Sequence, residues 1–186
     1  EGFSQGVPTD EQSVETLLTQ AVNDANTEVY RKAAEDSDLE GMGTTLVGAF
    51  VRQETACIVN IGDSRAYLLP KDGALRQLTT DHTVVQLLYE QGMITAEERA
   101  THERRNELMR AIGVTSRVLA DIQTVPLKTG DKVLLCSDGL YSMVSLSDME
   151  RIMRDTPAEQ VPDVCIAEAN AGGGRDNISV ILLTDE

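Results

Sequence analysis

The sequence predicts an α+β domain built mainly from antiparallel strands with helices packed beside them. Three observations lead to this prediction. One long amphipathic helical pattern comes first, a series of short apolar runs joined by polar turns follows it, and two further helical patterns come after Cys136. At 186 residues, without an internal repeat or a linker, the chain is long enough for one such domain with a sizeable core.

The first element is a long helix that runs to about Ala34. Thr9 or Asp10 can cap its start with a side-chain oxygen. Apolar residues recur at steps of three and four and form one stripe: Val14, Leu17, Leu18, Ala21, Val22, Ala25, Val29 and Tyr30. Residues 1–9 show little periodicity and are expected to form a loose lead-in, and Glu35–Glu40 is expected to be a loop.

Short runs that are mostly rich in Val, Ile, Thr and Ala then predict strands. Seven such runs follow the helix: Thr44–Arg52, Thr55–Ile61, Ser64–Leu69, Leu75–Leu78, Val118–Val125, Lys132–Cys136 and Ile178–Thr184. The first two are separated by a short polar link, which predicts a buried hairpin. Lys71-Asp72-Gly73 is a turn signal between the third run and the fourth.

Residues 81–113 interrupt the strands with two short helical patterns around Gln91-Gly92. The second pattern is dense in charge, which predicts a polar helical insertion, a mobile flap at about residues 82–105. Two more helices are expected late in the chain: Leu146–Met153, capped by Ser145 or Ser147, and a helix that Pro157 introduces and that continues through Ala169.

The chain is strongly acidic, with a formal net charge of −15. A surface of this sign repels phosphate backbones and anionic lipids, so neither nucleic acid nor membrane partners are expected. No apolar run approaches the roughly 20 residues that cross a bilayer, and the N-terminus lacks a signal-peptide pattern, so we expect a cytoplasmic location. The acidic excess serves either solubility or a site where carboxylates converge on a divalent cation.

The three cysteines argue against two other kinds of site. Cys57, Cys136 and Cys165 are an odd number, lie far apart and show no Cys-x-x-Cys spacing. Neither a disulfide framework nor a zinc site is therefore expected. Each cysteine has apolar neighbours, which predicts three buried thiols in a reducing compartment.

Two aspartates stand out because each lies beside glycine at the end of a predicted strand. Asp138 follows the run that ends at Cys136 and precedes Gly139, and Asp176 follows three glycines before the last strand. A sheet can hold such carboxylates rigidly while glycine leaves room for an ion and its waters. Taken alone, the two residues are better explained as ordinary turns, an Asp-Gly turn and an Asx-type loop end, than as metal ligands.

Six blocks of sequence occur in a characteristic order. They are Gly41-Met42-Gly43-Thr44-Thr45, Asn60-Ile61-Gly62-Asp63-Ser64-Arg65-Ala66-Tyr67, Leu78-Thr79-Thr80-Asp81-His82-Thr83, Arg110-Ala111-Ile112-Gly113, Leu135-Cys136-Ser137-Asp138-Gly139-Leu140 and Gly174-Arg175-Asp176-Asn177-Ile178-Ser179. Each is similar to a block of the bacterial metal-dependent Ser/Thr protein phosphatases of the protein phosphatase 2C type. From about Gly41 to its end, the chain therefore resembles this family.

The resemblance implies a β-sandwich of two antiparallel sheets flanked by helices, an αββα arrangement of four layers. It also implies a site for two Mg²⁺ or Mn²⁺ ions at one end of the sandwich. Asp138 and Asp176 match metal ligands of that site, and Ser137 and Asn177 stand beside them as supporting residues. Asp81 matches the aspartate that, together with the Asp138 position, holds a third and weaker metal near the flap.

The activity implied is direct hydrolysis of phosphoserine and phosphothreonine in proteins by a metal-activated water, with no catalytic side-chain nucleophile. His102 in the flap has two interpretations: a solvated flap residue, which we favour, or a group that acts on the substrate or leaving group. Gly62-Asp63-Ser64-Arg65 looks catalytic, but we expect it to be a strand junction whose polar groups satisfy one another.

Residues 1–40 contain no match to the strands with which family members begin. The Asp-Gly-Met-Gly-Gly motif of those strands, whose Asp bridges both metals, is also absent. We therefore expect residues 1–186 to form a partial, N-terminally incomplete phosphatase domain that is weakly active or inactive alone. Three explanations stay open: a truncated phosphatase, which we favour, a pseudophosphatase acting as a protein-interaction module, or strands supplied by another polypeptide.

The expected partners follow from the same resemblance. Phosphorylated proteins are the substrates, and a cognate Ser/Thr kinase is a further candidate partner. Missing strands would leave sheet edges unpaired, which predicts dimerisation or strand exchange between chains.

Overall fold

The computed structural model describes residues 11–185. Helix α1 spans Glu11–Glu35, so the predicted long helix is confirmed. The expected lead-in over residues 1–9 and the caps at Thr9 and Asp10 lie outside the described residues. The predicted loop after α1 contains a short 3₁₀ turn, Ser37–Leu39.

The buried face of α1 differs from the predicted stripe. Val14 and Val22 are buried as expected, but Ala21 and Ala25 are exposed. Asn26 is buried instead, because its side chain bonds to the loop after the flap. Its Oδ1 accepts from the Gly113 N–H at 2.8 Å, and its Nδ2 donates to the Thr115 carbonyl at 3.0 Å. A polar residue thus docks the helix through hydrogen bonds, which apolar periodicity cannot show.

Within residues 11–185, seven strands form two antiparallel sheets. They are β1 Leu46–Arg52, β2 Thr55–Ile61, β3 Arg65–Leu69, β4 Arg76–Gln77, β5 Asp121–Pro126, β6 Lys132–Cys136 and β7 Val180–Leu183. The strand orders are β1-β2-β5 and β4-β3-β6-β7. The predicted hairpin is confirmed as β1 and β2, with Leu46 opposite Ile61.

The predicted fifth strand begins too early. The pattern places its start at Val118, but β5 begins at Asp121, which lies opposite Asn60 near the end of β2. Residues before Asp121 have little of β2 left to pair with, so they continue as irregular chain.

The described part of the chain contains five further helices: α2 Val84–Glu90, α3 Ala96–Thr101, α4 Asp138–Tyr141, α5 Leu146–Asp155 and α6 Val161–Ala171. The sequence pattern missed α4, which is a single turn. The hydroxyl of Ser145 caps α5 by accepting from the Asp148 N–H at 3.1 Å, as expected. Pro157 leads first into a 3₁₀ turn, Ala158–Gln160, and α6 follows it.

Alternating residues of the strands separate the molecule into four layers. Ala66 and Leu68 of β3 pack between the two sheets, whereas Tyr67 and Leu69 pack against α4–α6. A third apolar cluster joins the other sheet to α1. Because each sheet buries both faces in this way, the expected αββα sandwich is confirmed.

Residues 82–105 contain α2 and α3, as the flap pattern predicts. Thr95 and Glu98 form a capping box at α3, with Thr95 N donating to Glu98 Oε2 at 2.8 Å and Glu98 N to Thr95 Oγ1 at 3.2 Å. The base of the flap is closed by a bridge between Thr83 and Leu108. Capping thus supports a helix whose residues are largely exposed.

Cys57, Cys136 and Cys165 are buried, as predicted, and they form no disulfide with one another. Burial raises the pKa of Cys136 to about 12 and that of Cys165 to about 11. Within residues 11–185, no helix combines the length and the apolar character that crossing a bilayer requires.

Candidate metal centre

Asp138 is placed by the end of a buried strand. β6 ends at Cys136, Ser137 is the N-cap of α4, and Asp138 is the first residue of that helix. Leu140 in the same turn is fully buried and anchors the helix in the core. The Asp138 carboxylate is therefore held at the end of the sandwich while remaining only half-buried.

Asp176 lies in the loop between α6 and β7 and is exposed. Ser137 joins this loop to β6. Ser137 Oγ donates to the Asn177 carbonyl at 3.1 Å and accepts from the Ser179 N–H at 3.0 Å, and Ser137 N donates to the Ser179 carbonyl at 3.1 Å. These bonds bring the two aspartate-bearing segments together, and the contact of Asn177 in them is made by its main chain.

Gly139 permits the close approach of the same two segments. A Cβ on Gly139 would lie 2.4 Å from the Asn177 carbonyl oxygen and 3.0 Å from its carbon. Both atoms are main chain, so a side chain at Gly139 would push the Asp176 loop away from α4. The glycine after Asp138 is therefore required by packing.

The carboxylates of this region repel one another. Burial raises the pKa of Asp138 and the charge of Asp176 raises it further, although neighbouring N–H groups and Arg65 act in the opposite direction. Burial also raises the pKa of Asp63, as do the charges of Asp138 and Asp81. An excess of partly buried negative charge on oxygen donors fits a hard divalent cation.

The described ligand set is small. In the part of the chain from residue 11 to residue 185, no three His, Cys, Asp or Glu side chains are grouped closely enough to hold a metal ion. Mg²⁺ or Mn²⁺ needs only one or two protein carboxylates when it keeps several of its waters, so Asp138 and Asp176 remain candidate ligands.

Asp81 differs from Asp138 in its charge environment, because an arginine binds its carboxylate. Arg65 binds both of its oxygens, with Nε donating to Oδ1 at 2.8 Å and Nη2 to Oδ2 at 2.6 Å. Gln77 Nε2 donates to Oδ1 as well, at 3.0 Å. The structure thus places Asp81 near the predicted centre but with its charge already compensated.

Arg65 and Tyr141 are site residues that the sequence analysis missed. The Arg65 guanidinium stacks 3.5 Å from the centre of the Tyr141 ring, and the Tyr141 hydroxyl donates to the Asp63 carbonyl at 2.9 Å. A basic residue inside the Gly62-Asp63-Ser64-Arg65 block was the signal for Arg65. No pattern marked Tyr141.

The predicted strand junction around Asp63 is confirmed for its neighbours. Gly62 N donates to His82 Nδ1 at 3.1 Å, and the hydroxyls of Ser64 and Thr45 are 2.8 Å apart. The sequence did not predict that Asp63 itself would share the electrostatic field of Asp138 and Asp81.

His82, which is buried, anchors the base of the flap. Because its Nδ1 accepts from Gly62, its Nε2 carries the proton and donates to Asp121 Oδ2 at 3.0 Å. Arg110 completes the cluster by donating to Asp121 Oδ1 at 2.8 Å. His102, in contrast, lies at the end of α3, where its Nδ1 accepts from the Arg104 N–H at 3.1 Å.

A family model described as Protein phosphatase 2C matches residues 1–164. The "Serine/threonine phosphatase stp" of Listeria innocua is 45% identical over 174 residues, which are 92% of this chain and 68% of that protein.

Two solved structures share the fold. The crystal structure of the serine/threonine phosphatase Stp1 from Staphylococcus aureus superposes with a TM-score of 0.92 at 33% identity, covering 99% of this chain and 72% of that one. The catalytic domain of the serine/threonine protein phosphatase PstP, in complex with two manganese ions, has a TM-score of 0.84 at 34% identity, covering 96% and 73%.

Proposed function

The chain belongs to the protein phosphatase 2C family of metal-dependent Ser/Thr protein phosphatases, and from this we propose that it hydrolyses phosphoserine and phosphothreonine in proteins with Mg²⁺ or Mn²⁺ held by Asp138 and Asp176. The observation that carries the proposal is the joining of the two aspartate-bearing segments by Ser137. The PstP structure with two manganese ions supports the choice of metals.

The divalent ions, when bound, activate the attacking water and neutralise phosphoryl oxygens. The residues of the chain would position these ions. β6 and the buried turn of α4 hold Asp138, and Ser137 and the main chain of Asn177 hold the loop that carries Asp176. A side-chain nucleophile is not part of this mechanism, and the raised pKa of Cys136, about 12, makes its thiol a poor one.

The flap is the proposed substrate-facing segment. Residues 82–105 begin directly after Asp81, which we propose as a ligand of a third, weaker cation together with Asp138. For His102 we propose a structural role in the flap, since its ring nitrogen is engaged by the Arg104 main chain. A protein Ser/Thr kinase is needed to make such substrates, so a cognate kinase is the expected opposing activity. Three buried cysteines that form no disulfide with one another support a reducing, cytoplasmic location.

We expect the 186-residue chain to turn over slowly by itself. Two described carboxylates, one of them exposed, hold a divalent ion weakly. Hydrolysis of a phosphothreonine peptide should therefore be slow, should require millimolar Mn²⁺ or Mg²⁺ and should stop with EDTA. The measurement is phosphate release from the peptide with each metal.

A phosphotyrosine peptide of the same sequence is the control, and it should be the poorer substrate. Turnover that persists in EDTA would contradict the metal mechanism, and turnover at rates typical of enzymes would contradict the expected weakness. The alternative function is a pseudophosphatase that binds phosphoproteins as an interaction module. Peptide binding without any phosphate release at saturating Mn²⁺ would favour it.

Two sheet edges are suited to pairing between copies. β5 starts with Asp121 and ends with Pro126, and β4 has only two residues, so these edges are protected. β1 carries no charge from Leu46 to Val51, and β7 carries none at all. Val51 on β1 and Ile181 on β7 are 46% and 55% exposed. We propose that copies of the chain associate through these edges.

The proposed association predicts a dimer at micromolar concentration. Val51→Lys with Ile181→Lys should shift the protein to monomer, because two lysines on uncharged edges oppose strand pairing. Multi-angle light scattering after size exclusion measures the mass. Leu119→Lys is the matched control, since Leu119 is 77% exposed but lies outside the strands. A wild-type monomer at every concentration, or equal effects of all three substitutions, would contradict the proposal.

A further inference from the structure

Arg65 places a cation among the carboxylates of the site. We propose that Arg65 is a positioning residue that holds Asp81 in the ion-free protein and competes with a divalent cation for it. The inference rests on the proposed function, because it concerns the weaker cation assigned to Asp81 and Asp138.

Arg65 and Asp81 form a partly buried ion pair. Arg65 uses two nitrogens to bind the two oxygens of Asp81, at 2.8 and 2.6 Å. The side chains are 21% and 13% exposed, so solvent weakens this pair much less than a surface pair. Asp81 Oδ2 keeps a free lone pair for a metal, whereas Oδ1 already accepts from Arg65 and from Gln77, and the charge that would attract the metal is neutralised.

Two tyrosines restrain the Arg65 guanidinium. The ring of Tyr141 stacks on it at 3.5 Å, and Arg65 Nη1 donates to the Tyr67 hydroxyl at 3.2 Å. Tyr141 belongs to α4, the helix that begins with Asp138. The Arg65 guanidinium is thus fixed against the element that carries the proposed metal ligand, and it cannot turn away without losing three contacts.

The positive charge of Arg65 also acts on the carboxylates of Asp138 and Asp63. Burial and neighbouring carboxylates raise the pKa of Asp138 and of Asp63, and Arg65 opposes this rise, so its positive charge acts on the same group of carboxylates that a cation would serve. A divalent cation between Asp81 and Asp138 would be repelled by Arg65 at close range. Cation binding there therefore requires Arg65 to move or to share Asp81, which makes this site weaker than the one at Asp138 and Asp176.

Mn²⁺ binding followed by electron paramagnetic resonance tests the competition. The variants are Arg65→Gln, Asp81→Asn and the double substitution, compared with wild type. Arg65→Gln should tighten the weaker class of Mn²⁺ sites about tenfold, because a close like charge is removed. Asp81→Asn should cancel that gain in the double variant. Arg65→Lys, which keeps the charge but not the paired donors, should give a smaller change.

A second measurement is made on the unmodified protein and needs a variant only to assign the signal. In ¹⁵N spectra the Arg65 Nε–H, bonded to Asp81, should be visible and slow to exchange without metal. It should shift or broaden as Mg²⁺ fills the weaker site. Arg65→Lys identifies the signal by removing it.

The outcomes separate the two proposals. If Mn²⁺ binds at Asp138 and Asp176 but Arg65→Gln leaves the weaker class unchanged or weaker, or if the Nε–H signal ignores Mg²⁺, the role of Arg65 is overturned and the proposed function stands. An equal gain in the presence of Asp81→Asn also overturns it. If no variant and no wild-type sample binds Mn²⁺, both proposals fall.

Discussion

Replacing Asp138 by Asn should lower Mn²⁺ affinity and any metal-dependent phosphatase activity by about 100-fold or more, since even residues that only support metal ligands cost 10–100-fold when lost. The substitution keeps the size of the side chain and the start of α4, and it removes one negative charge from the proposed centre. Asp176 would remain, but it is exposed and in a loop. One such carboxylate is a weak ligand by itself.

Isothermal calorimetry with Mn²⁺ and phosphate release from a phosphothreonine peptide measure this effect. Asp155→Asn is the control, because Asp155 is an exposed residue at the end of α5 and the chemical change is identical. Unchanged Mn²⁺ affinity and unchanged kinetics in Asp138→Asn would refute the assignment. Loss of affinity in Asp155→Asn would show that general acidity, rather than position, binds the ion.

Replacing Gly139 by Ala should disturb the packing that holds the proposed metal centre together. The new Cβ would lie 2.4 Å from the Asn177 carbonyl oxygen, so α4 and the Asp176 loop must separate. We expect a loss of about 1–3 kcal/mol in the free energy of unfolding, as for other overpacked positions. We also expect weaker Mn²⁺ binding, because the proposed ligands Asp138 and Asp176 would be moved apart.

Urea denaturation and Mn²⁺ calorimetry test the glycine prediction. Gly73→Ala is the matched control: Gly73 lies in the turn between β3 and β4, and its nearest atom would be Pro70 Cβ at 3.2 Å. This variant should keep its Mn²⁺ affinity, whatever small change in stability it shows. A Gly139→Ala protein with wild-type stability and Mn²⁺ affinity would show that the Asp176 loop yields without cost.

The residue pattern predicted the bounds of a strand correctly where the apolar run and the paired segment coincide. β6 matches its prediction in both bounds, because polar turns flank an apolar run that is buried on both faces. β5 does not, because its start depends on where β2 ends. The buried face of α1 was missed at Asn26, since hydrogen bonds to a loop 87 and 89 residues away decide its burial.

The candidate site also has parts that the sequence predicted and parts that it did not. Asp138, Asp176 and Asp81 were named from short blocks of sequence, and the structure places Asp138 at the start of α4 and the other two in loops. The pairing of Asp81 with Arg65 and the link from Ser137 to Asn177 and Ser179 were not predicted. Contacts across 16 and 40 residues leave no trace in local spacing.

The sequence by itself determined the family, the order of the elements and the carboxylates that are candidates for metal binding. These follow from local properties: residue type, periodicity and short motifs. Only the tertiary structure decided which carboxylate is free and which is neutralised. Arg65 reaches Asp81 because β3 and the segment after β4 lie side by side, and electrostatic state depends on distance in space rather than on separation along the chain.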